Sequence, residues 1–449
     1  MLRLHDTATG EVRPLDLREP GRVSVYVCGP TVYDVPHLGH GRSLLVYDVL
    51  RRYLEWSGLE VRLVSNITDI DDQIIRRAAE QGRSWEEVVD EYEAAHYEAV
   101  DSLGVQRPTA DPHATAYVEG MVELIGQLES AGFAYRTDDG VWFEVAKLDG
   151  YGALTRQSLS DLQAGARVEV AEGKRSPLDF ALWKAAKPGE PTWPSPWGPG
   201  RPGWHTECVV MSLDLLGEGF DLHTGGLDLR FPHHENERAQ AVALGRAFSR
   251  HWMHHAFVEV EGTKMSKSLA NFTSLTDLLA RTDPRAYRLL VLQSHYRSPM
   301  EVTPTTVAQA EAAVGRLDAL VRRAGPVDAE PDPAAVETFR AAMDDDLDTP
   351  RVTADLFELT RRANVALDAG DEAAAAPLVA AVCELAGALG LPLGGDAAAV
   401  PDEVAALVRR RDEARAARDW EAADAARDEL VAAGWVVEDT PTGTRVRRS

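Results

Sequence analysis

The stretch Cys28-Gly29-Pro30-Thr31-Val32-Tyr33-Asp34-Val35-Pro36-His37-Leu38-Gly39-His40 decides how the rest of the chain is read. Before it, Val23, Val25 and Val27 alternate as in a buried β-strand. After it, Leu44, Leu45, Val49, Leu50, Tyr53 and Leu54 recur at helical spacing until Ser57-Gly58 stops the run. The stretch is therefore a strand-to-helix turn, and in a parallel α/β sheet ligands sit beyond the carboxyl ends of the strands. Gly39 lets the backbone approach a ligand closely, and the unpaired amides at a helix start attract phosphate. His37 and His40 flank that glycine and can donate hydrogen bonds to phosphate oxygens as charge builds. A polar turn with two solvated histidines is the plainer reading, so the decision passes to the rest of the chain.

Size and composition narrow the class. A chain of 449 residues is long for one core and implies about two to four domains. No apolar run reaches the roughly 18 residues of a membrane span. The start, Met1-Leu-Arg-Leu-His-Asp6, lacks the apolar region of a secretory signal. Cys28, Cys208 and Cys383 are too few and too scattered for a disulfide framework. A cytoplasmic protein without membrane association is expected. The net charge of −25 opposes non-specific nucleic-acid binding, so an RNA partner would need a local basic patch.

The expected architecture is α/β: a split Rossmann-like parallel-sheet catalytic domain with an insertion, followed by an all-helical C-terminal region. Residues 1–110 form the first half of the sheet domain, opening with a polar lead-in over 1–22 that carries no evident chemistry. Its second strand, Glu60–Val64, runs into Ser65-Asn66-Ile67-Thr68-Asp69-Ile70-Asp71-Asp72, which crowds polar groups at the same sheet edge. Thr68 and Asp69 also suit a helix cap. Residues 111–200 read as the insertion, with a helix around Tyr117–Ser130, short strands near Val141–Val145 and a Pro/Gly/Trp-rich loop. Residues 201–262 form the second half. A helix starts within Gly203–Cys208, a strand over Gly219–Asp228 ends in a glycine turn, and Pro232 suits the first position of the next helix. His233 and Glu237 then share one helix face. Residues 263–325 begin a helical region, and 326–449 continue it with Ala-rich runs at 333–344, 350–369 and 371–390. A last helix is predicted over Asp402–Ala433, with a short β-like tail after it.

Two constellations carry chemistry. Cys28 at a strand end, Cys208 in a first helical turn, His233 and Glu237 are ligand types that zinc accepts. Buried structural cysteines and a helix-capping His233 are the alternative, and His234 is the rival ligand. Lys264 and Lys267, in a Met/Ser loop after a strand at Ala256–Val260, suit point charges on a polyphosphate or a plain surface cluster.

Together these residues resemble a known family. His37-Leu-Gly39-His40 looks like the HIGH motif of class I aminoacyl-tRNA synthetases, and Lys264-Met-Ser-Lys267-Ser268 is identical to their KMSKS motif. Four further segments closely resemble the cysteinyl-tRNA synthetases: Tyr26–Asp34, Asn66–Asp72, Gly200–Cys208 and Phe231–Glu237. Ala341–Asp346 and Trp420–Glu438 look like the same family's helical C-terminal part, so the resemblance spans nearly the whole chain. It implies one Zn2+ held by Cys28, Cys208, His233 and Glu237, which binds the thiolate of the substrate L-cysteine and makes editing unnecessary. It implies an amino-acid pocket of Gly29, Thr68, Trp204, His223 and Asp228. ATP, accompanied by Mg2+, would be bound by His37, Gly39, His40, Lys264 and Lys267, with both histidines and both lysines catalytic. Cysteinyl-adenylate would form first, and cysteine tRNA, held by the helical region, would accept the cysteinyl group. A monomer is expected rather than a dimer.

The sequence departs from the family pattern at Thr224, Ala256 and Ala270, where glycine is common. The first of these bears on the pocket around His223. The nearest rival is the ligase that joins cysteine to an amino-sugar inositol in mycothiol synthesis, which resembles the zinc and ATP sites but has no use for the C-terminal region. A zinc hydrolase would leave the KMSKS segment without a task, and a non-catalytic tRNA-binding paralogue would have no reason to keep every candidate ligand.

Overall fold

The computed structural model describes residues 2–157, 173–260, 263–264, 274–394, 402–440 and 443–448. The polar lead-in forms a hairpin of β1 (Arg3–Asp6) and β2 (Glu11–Pro14). β3 (Arg22–Val27) leads through the turn at Cys28–His37 into α1 (Leu38–Trp56) and back to β4 (Glu60–Ser65). α2 (Asp72–Gln81), α3 (Trp85–Ser102) and α4 (Val118–Ser130) follow. A separate antiparallel sheet comes next: β5 (Ala134–Thr137), β6 (Gly140–Phe143), β7 (Phe180–Ala185) and β8 (Gly200–Pro202). The chain then rejoins the first sheet through α5 (Trp204–Leu216), β9 (Phe220–Gly226), α6 (Glu235–Ala243) and β10 (Ser249–His255).

That first sheet has the order β4-β3-β9-β10, and every pairing in it is parallel. Tyr26 on β3 faces Val64 on one side and His223 on the other. β3 is buried along all but its first residue, which its run of valines suits, since parallel strands are covered on both faces. The connection from β3 runs outward to β4, while β9 continues to β10 on the opposite side. The strand order thus reverses between β3 and β9, and a crevice opens there at the carboxyl ends. Cys28 and Thr224–Gly226 stand at that point, with Cys28 N donating to Thr224 O at 3.2 Å.

Beyond the sheet come β11 (Val258–Val260), β12 (Thr263–Lys264), α7 (Leu275–Leu279), α8 (Pro284–Leu292) and β13 (Met300–Glu301), with the strands ordered β12-β11-β13. Helices α9 (Pro304–Ala324), α10 (Pro333–Asp344), α11 (Thr349–Asp368) and α12 (Glu372–Ala388) share one hydrophobic core with α1. Trp56 of α1 packs edge-on against Phe339, with centroids 4.9 Å apart, and Tyr53 Oη donates to Asp344 at 2.8 Å. Among the described residues no helix is long and apolar enough to cross a membrane.

One expectation needs correction. The predicted helix over Asp402–Ala433 is an αα-hairpin of α13 (Asp402–Ala416) and α14 (Trp420–Ala432). Arg418 turns into the left-handed region (φ 60°), and the Asp419 side chain caps α14 by accepting from Ala422 N. An antiparallel pair, β14 (Trp435–Thr440) and β15 (Gly443–Arg448), packs beside them. The helix expected from Pro232 does begin there: Phe231 just before it is extended (φ −144°, ψ 132°), and the turn of Pro232–His234 runs directly into α6.

Candidate active site

Four side chains from four separate elements converge beneath the crevice. Cys28 follows β3, Cys208 lies on α5, His233 in the turn before α6, and Glu237 on α6 itself. Their ligand atoms all lie within 4.8 Å of one another, and all four residues are buried. Cys28 Sγ is 3.6 Å from Cys208 Sγ and 3.4 Å from Glu237 Oε1. His233 Nε2 is 3.7 Å from Cys208 Sγ and 3.0 Å from Glu237 Oε1. A tetrahedron built on Zn–S and Zn–N/O bonds of ordinary length has S–S, S–N and N–O edges of roughly 3.8, 3.5 and 3.4 Å. The side chains fit that figure to within a few tenths of an ångström. The local chemistry suits the same ion. Burial pushes both thiols up and His233 well down, so without a cation the two thiols and the imidazole are neutral.

The ligands are braced from outside. The other oxygen of Glu237, Oε2, accepts from His223 Nε2 at 2.8 Å. His233 Nδ1 lies 2.9 Å from Nδ1 of His205, which burial pushes down to about 3 and so keeps neutral. The Trp204 ring stacks on His233 at 3.9 Å. His234 is engaged on its Nδ1 side, which pairs with His254 Nε2 at 2.8 Å, and His254 continues to Thr7. With His223, Cys28 and Glu237 it forms a second group of possible ligands, which contains one thiol rather than two.

A cleft of about 570 Å³ lies above this group. Cys28, Gly29, His37, Gly39, His40, Trp204 and Asp228 all line it. Thr68 and His223 do not, and both are almost wholly buried. Asn66 Nδ2 donates to Thr68 Oγ1 at 3.1 Å, and Thr68 Oγ1 donates to Glu207 Oε2 at 3.0 Å. Asn66 Oδ1 accepts from Gly29 N at 3.0 Å and from Tyr26 Oη at 3.2 Å. Burial drives the Glu207 carboxyl well up, with the Thr68 hydroxyl pulling it back. Sequence reasoning assigned no role to Asn66, Glu207 or His205. The signal for them was the crowding of polar residues at the ends of β4 and β8, but not the direction in which each points.

At the other end of the cleft stands the start of α1, whose first turn carries no acidic residue to compete for a phosphate. His37 is its N-cap. His37 Nδ1 accepts from His40 N at 3.3 Å, His40 Nδ1 accepts from His37 N at 3.2 Å, and the two rings stack at 3.8 Å. Each neutral ring therefore carries its proton on Nε2. A Cβ at Gly39 would sit 2.7 Å from the His37 ring, so this arrangement needs glycine. The backbone of Lys264 pairs with Glu259 in β11, while Lys267 lies outside the described residues.

The fold is that of a class I aminoacyl-tRNA synthetase. The family described as the tRNA synthetase class I (C) catalytic domain matches residues 14–312. A DALR domain matches 338–394, and the cysteinyl-tRNA ligase anticodon binding domain matches 397–447. Cysteine–tRNA ligases of Halorhodospira halophila and Thioalkalivibrio sulfidiphilus are each 48% identical to the chain, over 100% of both sequences. The methionyl-tRNA synthetase of Mycobacterium tuberculosis bound by methionyl-adenylate superposes with a TM-score of 0.61 at 14% identity, covering 82% of this chain and 90% of that one. That likeness is one of fold. The chain belongs to the cysteine–tRNA ligase family.

Proposed function

We propose that the chain activates L-cysteine with ATP and passes the cysteinyl group to cysteine tRNA, acting as a monomer in the cytoplasm. The observation that supports this most is the tetrahedral group of Cys28, Cys208, His233 and Glu237 directly beneath the cleft that His37 and His40 line. Zn2+ bound by these four would supply a Lewis acid for a thiolate, which serine matches poorly and alanine or valine not at all, whereas a pocket wall separates a methylene by only about 1–3 kcal/mol. With Nε2 on the zinc, His233 would carry its proton on Nδ1 and donate it to Nδ1 of neutral His205, 2.9 Å away. Gly29, Trp204 and Asp228 take the amino-acid backbone, the Asp228 carboxylate suiting the ammonium. Thr68 and His223 brace this pocket from behind.

In the first step a cysteine carboxylate oxygen attacks the α-phosphorus of Mg2+-bound ATP, the bond to the bridging oxygen breaks, and pyrophosphate leaves. His37 and His40 donate from Nε2 to phosphate oxygens, Gly39 admits the phosphates to the helix start, and Lys264 and Lys267 neutralise the developing charge. In the second step the terminal ribose hydroxyl of the tRNA attacks the adenylate carbonyl and AMP departs. Residues 1–110 and 201–262 act as the two catalytic halves around the insertion 111–200. Residues 263–325 meet the acceptor stem, and 326–449 take the anticodon arm.

The test is cysteine-dependent exchange of pyrophosphate into ATP, together with charging of cysteine tRNA, for wild type and Cys208→Ala with bound zinc quantified. Exchange and charging in wild type, with zinc and exchange lost together in the variant, is the expected result. Exchange without charging of any tRNA would point to a small-molecule acceptor, and absence of exchange in zinc-replete protein would refute the catalytic reading.

A further inference from the structure

Arg42 lies on α1, one helical step beyond Gly41 and the His37–His40 segment, and is wholly buried. Its Nη1 donates to Phe257 O at 2.6 Å. Its Nη2 donates to Ser298 O at 2.5 Å, to His295 O at 3.2 Å and to Tyr296 O at 3.3 Å. Among the described residues every partner of the guanidinium is a backbone carbonyl. Burial holds its pKa down to about 10, so it is still a cation at neutral pH. A buried cation without a carboxylate is an expensive way to fill space, since an apolar side chain of similar volume would pack at lower free energy.

The position of the four carbonyls gives the arrangement its meaning. Phe257 immediately precedes β11, and Ser298 stands just before β13. β11 pairs with β13 through Val258 and Met300, and with β12 through Glu259 and Lys264. The guanidinium therefore grips the roots of the small sheet whose outer strand carries Lys264. The chain is fastened again where it returns: Ser274 forms a bridge with His37, and Leu275 N donates to Pro36 O at 2.9 Å. On its far side the 295–298 turn is held by Asp346, which accepts from Tyr296 Oη, from Arg297 Nε at 2.7 Å and from His5 N at 2.8 Å.

We propose that Arg42 is a positioning residue that sets the Lys264-bearing sheet against the helix bearing His37 and His40. The inference rests on the adenylation reading above. Arginine suits the task because its planar fork reaches diverging carbonyls at once, which the single ammonium of lysine cannot do. An error in this setting displaces the lysine from phosphates held at the helix start, and a displacement of about 1 Å lowers rates on the order of a hundredfold.

The experiment is steady-state cysteine-dependent pyrophosphate exchange on full-length, zinc-loaded wild type, Arg42→Lys, Lys264→Ala and the double variant. Arg42→Lys should lower kcat on the order of a hundredfold while the KM for cysteine stays within about twofold. In the Lys264→Ala background the same change should lower kcat by less than about threefold, because the group it positions is gone. Full additivity in the double variant, or a raised cysteine KM at unchanged kcat, would overturn the inference. Should Arg42→Lys fail to fold, Asp346→Asn loosens the same turn from its other side, and its loss must show the same dependence on Lys264. Absence of exchange in wild type would instead refute the adenylation reading, so the two failures are distinguishable.

Discussion

Gly29 offers the sharpest test of how the cleft floor is built. A Cβ added there would lie 1.6 Å from the carbonyl oxygen of Asn66 and 2.7 Å from its carbon, both backbone atoms. Contact of a Cβ below 3.0 Å is essentially never observed, so Gly29→Ala must open the gap by about 1.4 Å. The obstacle is not a rotatable side chain, so one of two backbone segments moves. If the Cys28–Pro30 segment moves, the bond from Gly29 N to Asn66 Oδ1 and the placement of Cys28 Sγ beside Cys208 are lost. If Asn66 moves, Thr68 and Glu207 follow it. Either way the stability loss should be about 1–3 kcal/mol, as for other overpacked sites, and exchange activity should fall on the order of a hundredfold. The assay is cysteine-dependent pyrophosphate exchange with zinc content and urea unfolding measured on the same samples. Gly126→Ala is the control, since α4 leaves open space around Gly126, and its activity should match wild type. Retention of exchange within about threefold in Gly29→Ala would refute the reasoning, because no shift of about 1.4 Å at a reacting site is that mild.

Other perturbations test separate joints. Glu237→Gln removes the charge that faces both thiols and His233 and weakens the bond to His223; competition with a chelator should show zinc affinity reduced by at least about tenfold. Arg288→Met strips Asp48 of its partner at 2.5 Å and leaves it buried with Arg52 Nε and Gln106 N, each at 2.8 Å; urea unfolding should show a loss of about 3 kcal/mol, and a loss below about 1 kcal/mol would refute this role. Burial pushes His96 and His255 down to about 4, so both are neutral in the folded chain, whereas unfolded histidine takes up its proton near pH 6.5. Their stabilising effect is therefore complete above about pH 6.5 and declines as pH falls toward 4, with a slope of up to about 1.4 kcal/mol per pH unit for each ring. His96→Phe should flatten the measured slope over that window by one ring's share, and an unchanged slope would contradict the assignment.

What could be read in advance, and what could not, divides along the range of the interactions. The β3–turn–α1 unit was legible because alternating valines and a helical leucine pattern are local signals, and both elements occur where those signals place them. The convergence of Cys28, Cys208, His233 and Glu237 was legible only as ligand chemistry. What brings them together is the pairing of β3 with β9, a contact that no local pattern encodes. His233 reaches Glu237 at 3.0 Å as the i,i+4 pair expected of a helix opening at Pro232, since the turn of Pro232–His234 runs directly into α6. The break at Arg418–Asp419 was missed because neither residue is a glycine or proline, and only the capping capacity of Asp419 hinted at it. Arg42 is the most instructive miss. By type it belongs on the solvent face of an amphipathic helix, yet it is among the largest fully buried side chains of the chain. Periodicity assigns a charged residue to water because it counts only the residue's own transfer free energy. Where a fold instead places the charge among backbone carbonyls at the junction of two segments, the mismatch between pattern and burial identifies the joint, and that joint lies between the two halves of the proposed phosphate site.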